Sequence, residues 1–314
     1  MEKTGEDTVL LPKEIFQMPK TLGDILLPDV VLVRQGSYLE SILPGNSDAL
    51  IANAMYFGNE AWAREYLASC HRDGYFRSRW LAATGEWTDK VVIDLGCGPG
   101  NVFATLGGSP KLLVGVDVAA ASLELAAVVG YIPVLADVAH TPFRPQVADI
   151  VAINATLHHC DDMQAVLREG ARLVKPGGLL VTDHDPQLAA WNYKGLARLL
   201  WNARLWVYRV LGRGFHRSGS QQSWRLRSEV RHRPGDGVTK EFFESTLAPL
   251  GFEVRVHPHN HWIGARALDG EAGPVQWKYR MGNRLSGRDP DAPSSALSLM
   301  CVARRTGVKN PEAR

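Results

Sequence analysis

The 314 residues carry 35 Lys and Arg against 33 Asp and Glu, a formal charge of +2, with 45% hydrophobic and 22% charged residues. This is an ordinary globular composition, long enough for one large domain or a core with additions. It excludes a disulfide framework, because Cys70, Cys97, Cys160 and Cys301 are scattered without disulfide or metal spacing, and a spanning helix, because the most apolar N-terminal stretch, Ile25 to Val33, is short and broken by Pro28 and Asp29. Met1 to Thr4 shows no basic-then-apolar leader pattern, so reduced thiols in a cytoplasmic protein are expected.

Charge and tryptophan are unevenly spread. From Trp191 to Arg233 ten Lys or Arg face one acid, Glu229, a local +9 that leaves −7 elsewhere. Such asymmetry points to an anionic partner. None of the nine tryptophans lies between Lys90 and Ala190.

Residues 1–45 hold mixed runs punctuated by Pro12, Pro19, Pro28 and Pro44. They read as a partly flexible arm with a short strand near Val30–Arg34. Asp48 to Ala83 reads as helical: Leu50, Ala54, Tyr56, Ala61, Trp62, Tyr66, Leu67, Phe76, Trp80 and Leu81 recur at helical intervals, with N-caps at Asn46, Ser47 or Asp48.

The chain is organised around Val91–Asn101, VVIDLGCGPGN. A short apolar run rich in β-branched residues and ended by glycine is a strand buried on both faces. Gly96, Gly98 and Gly100 suit a tight turn whose backbone amides approach a ligand. Asp94 inside the strand needs the loop amides or the ligand to satisfy it. A dinucleotide fingerprint places glycine at the first, third and sixth positions; here the third glycine is fifth and the sixth residue is Asn101, favouring a ligand without pyrophosphate. A second strand, Leu112 to Val116, ends on Asp117, about 20 residues past the first glycine, where a carboxylate accepts hydrogen bonds from a ribose diol.

From Lys90 strands alternate with helices, which predicts a parallel sheet covered on both faces. Helix Ala119–Val129 stops at Gly130, strand Ile132–Ala136 ends at Asp137, and strand Ile150–Asn154 runs into Ala155 to Asp162. Helix Met163–Val174, capped by Asp161 or Asp162, ends at Lys175-Pro176-Gly177-Gly178. Strand Leu179–Thr182 then delivers Asp183-His184-Asp185. Ligands of open α/β sheets sit at the carboxyl ends of strands, so His184, His159 and Asp185 are the candidate acid–base residues. No metal is expected. Adjacent His158, His159 and Cys160 cannot easily share an ion, and alternating His257, His259 and His261 are interrupted by Pro258 without a nearby acid.

Between Trp191 and Leu211, residues Leu196, Leu199, Leu200, Ala203, Trp206, Val207, Val210 and Leu211 gather on one helix face, with Lys194, Arg198, Arg204 and Arg209 around the rest. Such a helix either packs on the core, leaving a solvated basic face, or covers a site for an anionic or lipid-like molecule and touches a membrane surface through 191–211. Arg225, Arg227, Arg231, His232 and Arg233 precede a Pro234–Gly237 turn. Thr239 caps a helix to Leu250, and Phe252–His257 and Leu297–Arg304 supply two last strands. Their long connection carries Trp262, Trp277 and Tyr279.

Five blocks in this order, VVIDLGCGPGN, LVGVDVA, LADVAHTPF, DIVAINATLHHCDD and LVKPGGLLVTD, resemble the class I S-adenosylmethionine-dependent methyltransferases, in particular the small-molecule branch with the ubiquinone-type enzymes. The match covers about Val91 to Thr182 and extends weakly to Arg304. It implies an α/β, Rossmann-like, seven-stranded, mostly parallel sheet with an antiparallel last hairpin. Within one domain, 46–314, it implies N-terminal cap helices (46–88), a cofactor core (89–186), a helical lid insertion (187–238) and C-terminal strands (239–314). It implies S-adenosyl-L-methionine held by Asp94, Gly96, Cys97, Gly98 and Gly100, by Asp117 with Val118 against adenine, by Asp137 and Val138 at the adenine amine, and by Asn154. Tyr56, Phe57, Tyr66 and Tyr75 become candidates to line the acceptor pocket. Asn154-Ala155-Thr156-Leu157 replaces the Asn/Asp-Pro-Pro-Tyr/Phe of amino and base methyltransferases, so no nucleic acid is expected. The expected function is O- or C-methylation of a small, anionic metabolite. The alternatives are a membrane lipid or quinone acceptor, or a non-catalytic S-adenosylmethionine-binding regulatory partner.

Overall fold

The computed structural model describes residues 20–41, 47–211, 219–230 and 235–307. Of the features read from sequence, Pro12, Pro19, Pro44, Asn46, Arg231, His232, Arg233 and Pro234 lie outside the described residues, as do the side chains of Arg209 and Arg225. In chain order the elements are α1 (Lys20–Gly23), β1 (Val33–Gln35), β2 (Tyr38–Glu40), α2 (Asp48–Phe57), α3 (Glu60–Ser69), α4 (Gly74–Thr84), β3 (Val91–Leu95), α5 (Asn101–Leu106), β4 (Leu112–Asp117) and α6 (Ala120–Val129). They continue with β5 (Ile132–Leu135), β6 (Ala148–Asn154), α7 (Met163–Leu173), β7 (Val174–Pro186), α8 (Gly195–Leu211), α9 (Gly219–Ser228), α10 (Lys240–Leu247), β8 (Phe252–His259), α11 (Trp277–Leu285) and β9 (Ser298–Arg305).

The sheet runs β1-β2-β5-β4-β3-β6-β7-β9-β8. Its last seven members are the expected ones, with β9 antiparallel to both neighbours. Apolar runs such as Val92 to Leu95 and Ile150 to Ile153 are buried on both faces, as parallel strands between helical layers must be.

Nine strands stand where seven were expected. Residues 33–40 form a hairpin, and β2 pairs parallel with β5, setting Leu39 against Val134. Much of the arm is therefore built into the domain: Leu22, Ile25 and Leu26 are buried in the core with Phe143, and Arg144 Nε donates to the Leu26 carbonyl at 2.5 Å. Three-residue strands are too short to show a periodicity; pairing with an existing edge makes them.

Local caps follow the sequence. Ser47, Asn59, Asp73, Asp162 and Thr239 each accept from a backbone amide at a helix start. Helix α8 departs from expectation. It packs through Ala197 and Trp201, the latter stacked among Trp191, Tyr193 and Tyr279 of α11. The leucine-rich face, roughly 110° around the helix, stays in solvent, with Leu196, Leu199, Leu200, Trp206, Val207, Val210 and Leu211 between 41% and 68% exposed. It covers neither the core nor a cavity.

Candidate active site

At the carboxyl ends of β3, β4, β5 and β6 lies a cavity of about 550 Å³, a size usual for a small-molecule site. Its floor is the loop after β3. Gly96 sits at φ +74°, and a Cβ there would come within 2.3 Å of the Thr156 side chain, so no other residue fits without displacing β6's end. The amides of Gly96 and Cys97 donate to the Val116 carbonyl. Asp117 then clamps the loop: its carboxylate accepts from Gly98 N at 2.8 Å and from Ala119 N at 2.9 Å. Burial raises the pKa of this carboxyl, and those amides oppose the shift. At the tip of β5, Asp137 accepts from Ala139 N and pairs with His140.

Gly96, Cys97, Gly98, Asp117, Val118, Asp137, Val138 and Asn154 all line this cavity. Two expected contributors lie behind it. Asp94 is fully buried; its Oδ2 accepts from the Tyr131 hydroxyl at 2.7 Å, while Oδ1 has no partner among the described residues, and burial lifts its carboxyl to about 7. Gly100, at φ +95°, turns the chain into α5 with its Cα against Tyr131 and Val129. Both shape the loop from below.

The roof comes from α2 and α3. Phe57 and Tyr66 line the cavity, whereas Tyr56 packs against Phe57 and Trp62, and Tyr75 lies exposed elsewhere. Asn101 Nδ2 donates to the carbonyls of Tyr66 and Cys70 at 3.0 and 2.8 Å, tying the end of α3 over the glycine loop. Asn53 Nδ2 donates to the carbonyls of Ala49 and His159. With the amide nitrogens so engaged, Oδ1 of Asn53 and of Asn101, together with Oδ1 of Asn154, is a buried acceptor without a partner in the chain. Unpaired buried acceptors are costly, and three along one cavity fit a ligand bearing an ammonium or other donors. Four aspartates, Asp117, Asp137, Asp161 and Asp162, also line it, and among the described residues no Lys or Arg does.

Of the three candidate acid–base residues, only His159 reaches the cavity. Its Nδ1 is 2.9 Å from the Ser228 carbonyl at the end of α9. A carbonyl only accepts, so Nδ1 carries the proton and Nε2 keeps a lone pair. Burial first, and His158 second, lower its pKa to about 3, so the ring is neutral at pH 7. His184 and Asp185 are displaced because β7 does not stop at Thr182. It runs on to Pro186 against β9, with a register break between Thr182 and Asp185 and His184 at φ +62°. Asp185 is buried against His158, 2.8 Å from Nδ1 and 3.1 Å from the backbone N, and burial lifts its carboxyl to about 7. His184 packs edge-on behind His71, ring centroids 4.4 Å apart, and it is His71 that lines the cavity, with Nε2 3.1 Å from the Tyr66 hydroxyl.

Sequence reading passed over Asn53 and His71, named Asn101 without its tie to α3, and named Asp183 without its role as a buried hub. The last is fully buried and accepts from Arg79 Nε and Nη2, Trp80 Nε1, His184 N and His259 Nε2. His259 is thus a core histidine, and His261 turns to Ser298; among the described residues no group of three or more His, Cys, Asp or Glu could hold a metal ion. Asn53 was findable as the one polar residue on the buried Ala49-Ala52-Tyr56 face of α2. The Arg79–Asp183 pairing, across 104 residues, had no local signal.

The sheet order and a cavity at its switch point are those of an α/β protein that takes its ligand at the carboxyl edge of the sheet. Residues 93–182 match the methyltransferase domain family. Over these residues the chain resembles the class I S-adenosylmethionine-dependent methyltransferases of the small-molecule type. It is 28% identical over 171 residues to malonyl-[acyl-carrier protein] O-methyltransferase of Hamiltonella defensa, covering 53% of this chain and 61% of that one. It is 30% identical over 148 residues to ubiquinone biosynthesis O-methyltransferase of Klebsiella pneumoniae, covering 44% and 61%. The chain thus spans about three fifths of the length of these relatives. In fold it is similar to geranyl diphosphate C-methyltransferase of Streptomyces coelicolor A3(2), a complex with Mg2+, geranyl diphosphate and S-adenosyl-L-homocysteine, with a TM-score of 0.50 at 13% identity over 84% of this chain and 100% of that one.

Proposed function

We propose that the protein methylates an oxygen or carbon of an uncharged small molecule, with His159 as the base. The observation that carries this reading is His159, its Nδ1 hydrogen given to the Ser228 carbonyl so that Nε2 keeps a lone pair, lining the same cavity as Gly98, Asp117 and Asn154. When bound, S-adenosylmethionine supplies a methyl already activated by the sulfonium charge, so alignment and exclusion of water are the chain's main tasks. Asp117 would accept from the ribose hydroxyls, Val118 and Val138 would flank the adenine, and the oxygens of Asn53, Asn101 and Asn154 would accept from the methionyl end. Phe57 and Tyr66 confine the acceptor while His159 Nε2 takes its O–H or C–H proton. With Asp117 and Asp137 on the cofactor side, Asp161 and Asp162 remain along the cavity and no described Lys or Arg lines it, which favours an uncharged acceptor over an anionic one. A purely regulatory S-adenosylmethionine-binding role would leave His159 without use. Formation of S-adenosylhomocysteine from labelled cofactor with a metabolite extract, followed by mass analysis of what gains the methyl, tests the reading.

Binding gives a second measurement. Asp117→Ala is expected to weaken S-adenosylmethionine by about 1.5–3 kcal/mol, the usual cost of losing hydrogen bonds to a charged group, partly because Gly98 N loses its partner. Calorimetry showing unchanged affinity, or a preference for NAD, would remove Asp117 from the cofactor site.

A further inference from the structure

Two neighbouring helices leave apolar stripes in solvent. On α8 it is the leucine face described above. On α11, Trp277, Met281 and Leu285 share one face by their spacing and are 75%, 49% and 48% exposed. The helices already meet through Tyr193, Trp201, Tyr279 and Gly282, whose Cα is so close that a Cβ would come within 2.4 Å of the Tyr193 ring. Their exposed stripes therefore cannot be covered by docking the two helices together. Isolated exposed apolar residues are normal, but runs on two adjacent helices mark a docking surface.

Charge identifies the occupant. Residues 191–233 carry +9, and α11 adds Lys278, Arg280 and Arg284 with no acid, +12 in all, so the remainder of the chain stands at −10. Lys194 just before α8, Arg198 on α8 and Arg284 on α11 are exposed. A second copy docked through the same face would set like charge against like. Exposed Trp and aliphatic residues accompanied by Lys and Arg are instead the chemistry of an anionic bilayer surface. None of the described helices is long and apolar enough to cross a membrane, so contact is from the side. We propose that α8 and α11 seat the protein on an anionic lipid bilayer, with their apolar stripes at headgroup depth and their cations over the headgroups. This stands apart from the methyl-transfer reading, and its test needs no turnover.

The full chain is sedimented with sucrose-loaded vesicles of phosphatidylcholine alone or with about 30% phosphatidylglycerol. Binding to the anionic vesicles, a blue shift of tryptophan emission and loss of binding as salt rises are expected. The pairs Leu199→Glu with Trp206→Glu, and Trp277→Glu with Met281→Glu, should each weaken binding about tenfold or more. Thermal melting and cofactor affinity should stay unchanged, because these side chains are exposed. Three results would overturn the proposal: no sedimentation of the wild type, equal sedimentation of both double variants, or a dimer in solution that the same variants dissociate, which would give the surface to a second copy.

Discussion

His159→Ala is expected to lower turnover by about 10²–10⁴-fold, the usual contribution of a positioned base, while leaving S-adenosylmethionine affinity nearly unchanged. The side chain lines the cavity, and the Ser228 carbonyl holds the ring by Nδ1. His159→Gln keeps much of the volume but no basic nitrogen, so it should be as slow as Ala. The pH profile separates this residue from its neighbours. A histidine of ordinary pKa would lose its basic form below about 6.5. Burial holds His159 neutral down to about 3, so kcat/KM should show no acid limb between pH 8 and 5 that belongs to this ring. Wild-type rates in both variants would mean that alignment alone drives the transfer. A limb near 6.5 that survives in His159→Gln would move the base elsewhere in the cavity.

The largest effect on stability is expected from Asp183→Ala. Asp183 and Arg79 are both fully buried, and Arg79 Nη1 also donates to the carbonyls of His261 and Ile263. Removing the carboxylate leaves the guanidinium, the Trp80 indole and His259 Nε2 without their acceptor. Breaking a buried ion pair from one side costs about 3–5 kcal/mol, a large part of a typical stability of about 5–15 kcal/mol. Denaturant melts measure it, and a loss below about 1 kcal/mol would show that water or repacking replaces the carboxylate.

Acidity should act on the same hub. Arg79, His184 and His259 hold the Asp183 carboxyl well below its ordinary range despite burial. Its depressed folded pKa contributes stability above the unfolded value near 4, lost as pH falls through the folded pKa. His259, lowered by burial to about 4, works in the same direction from higher pH: below about 6.5 the unfolded chain takes up a proton that the folded ring refuses. His261 N donates to His259 Nδ1, so Nε2 carries the hydrogen given to Asp183. Asp94 and Asp185, both raised to about 7, oppose this trend, because the folded state keeps their protons between about pH 4 and 7. Melts of wild type and Asp183→Asn should therefore keep their gap from pH 7 to about 4 and converge only below it, as pH falls towards the folded pKa of Asp183.

What the amino-acid sequence determined by itself is local. Alternating β-branched runs, the Gly96-Gly98-Gly100 turn and the acids at the ends of β4 and β5 need only their neighbours to be read, and they specify the central sheet and most of the cofactor wall. The tertiary structure alone decided the rest, because those parts depend on residues far apart in the chain. The register with β9 carried β7 past Thr182 and withdrew His184 and Asp185, leaving His159 at the cavity. Asn53, Tyr66 and His71 became part of the site only because α2 and α3 fold over a loop some 30 to 45 residues further on. Helix α8 makes the same point: periodicity shows that a face is apolar, but what covers it is set by packing, and here Ala197 and Trp201 took the protein contact while the leucines faced outward.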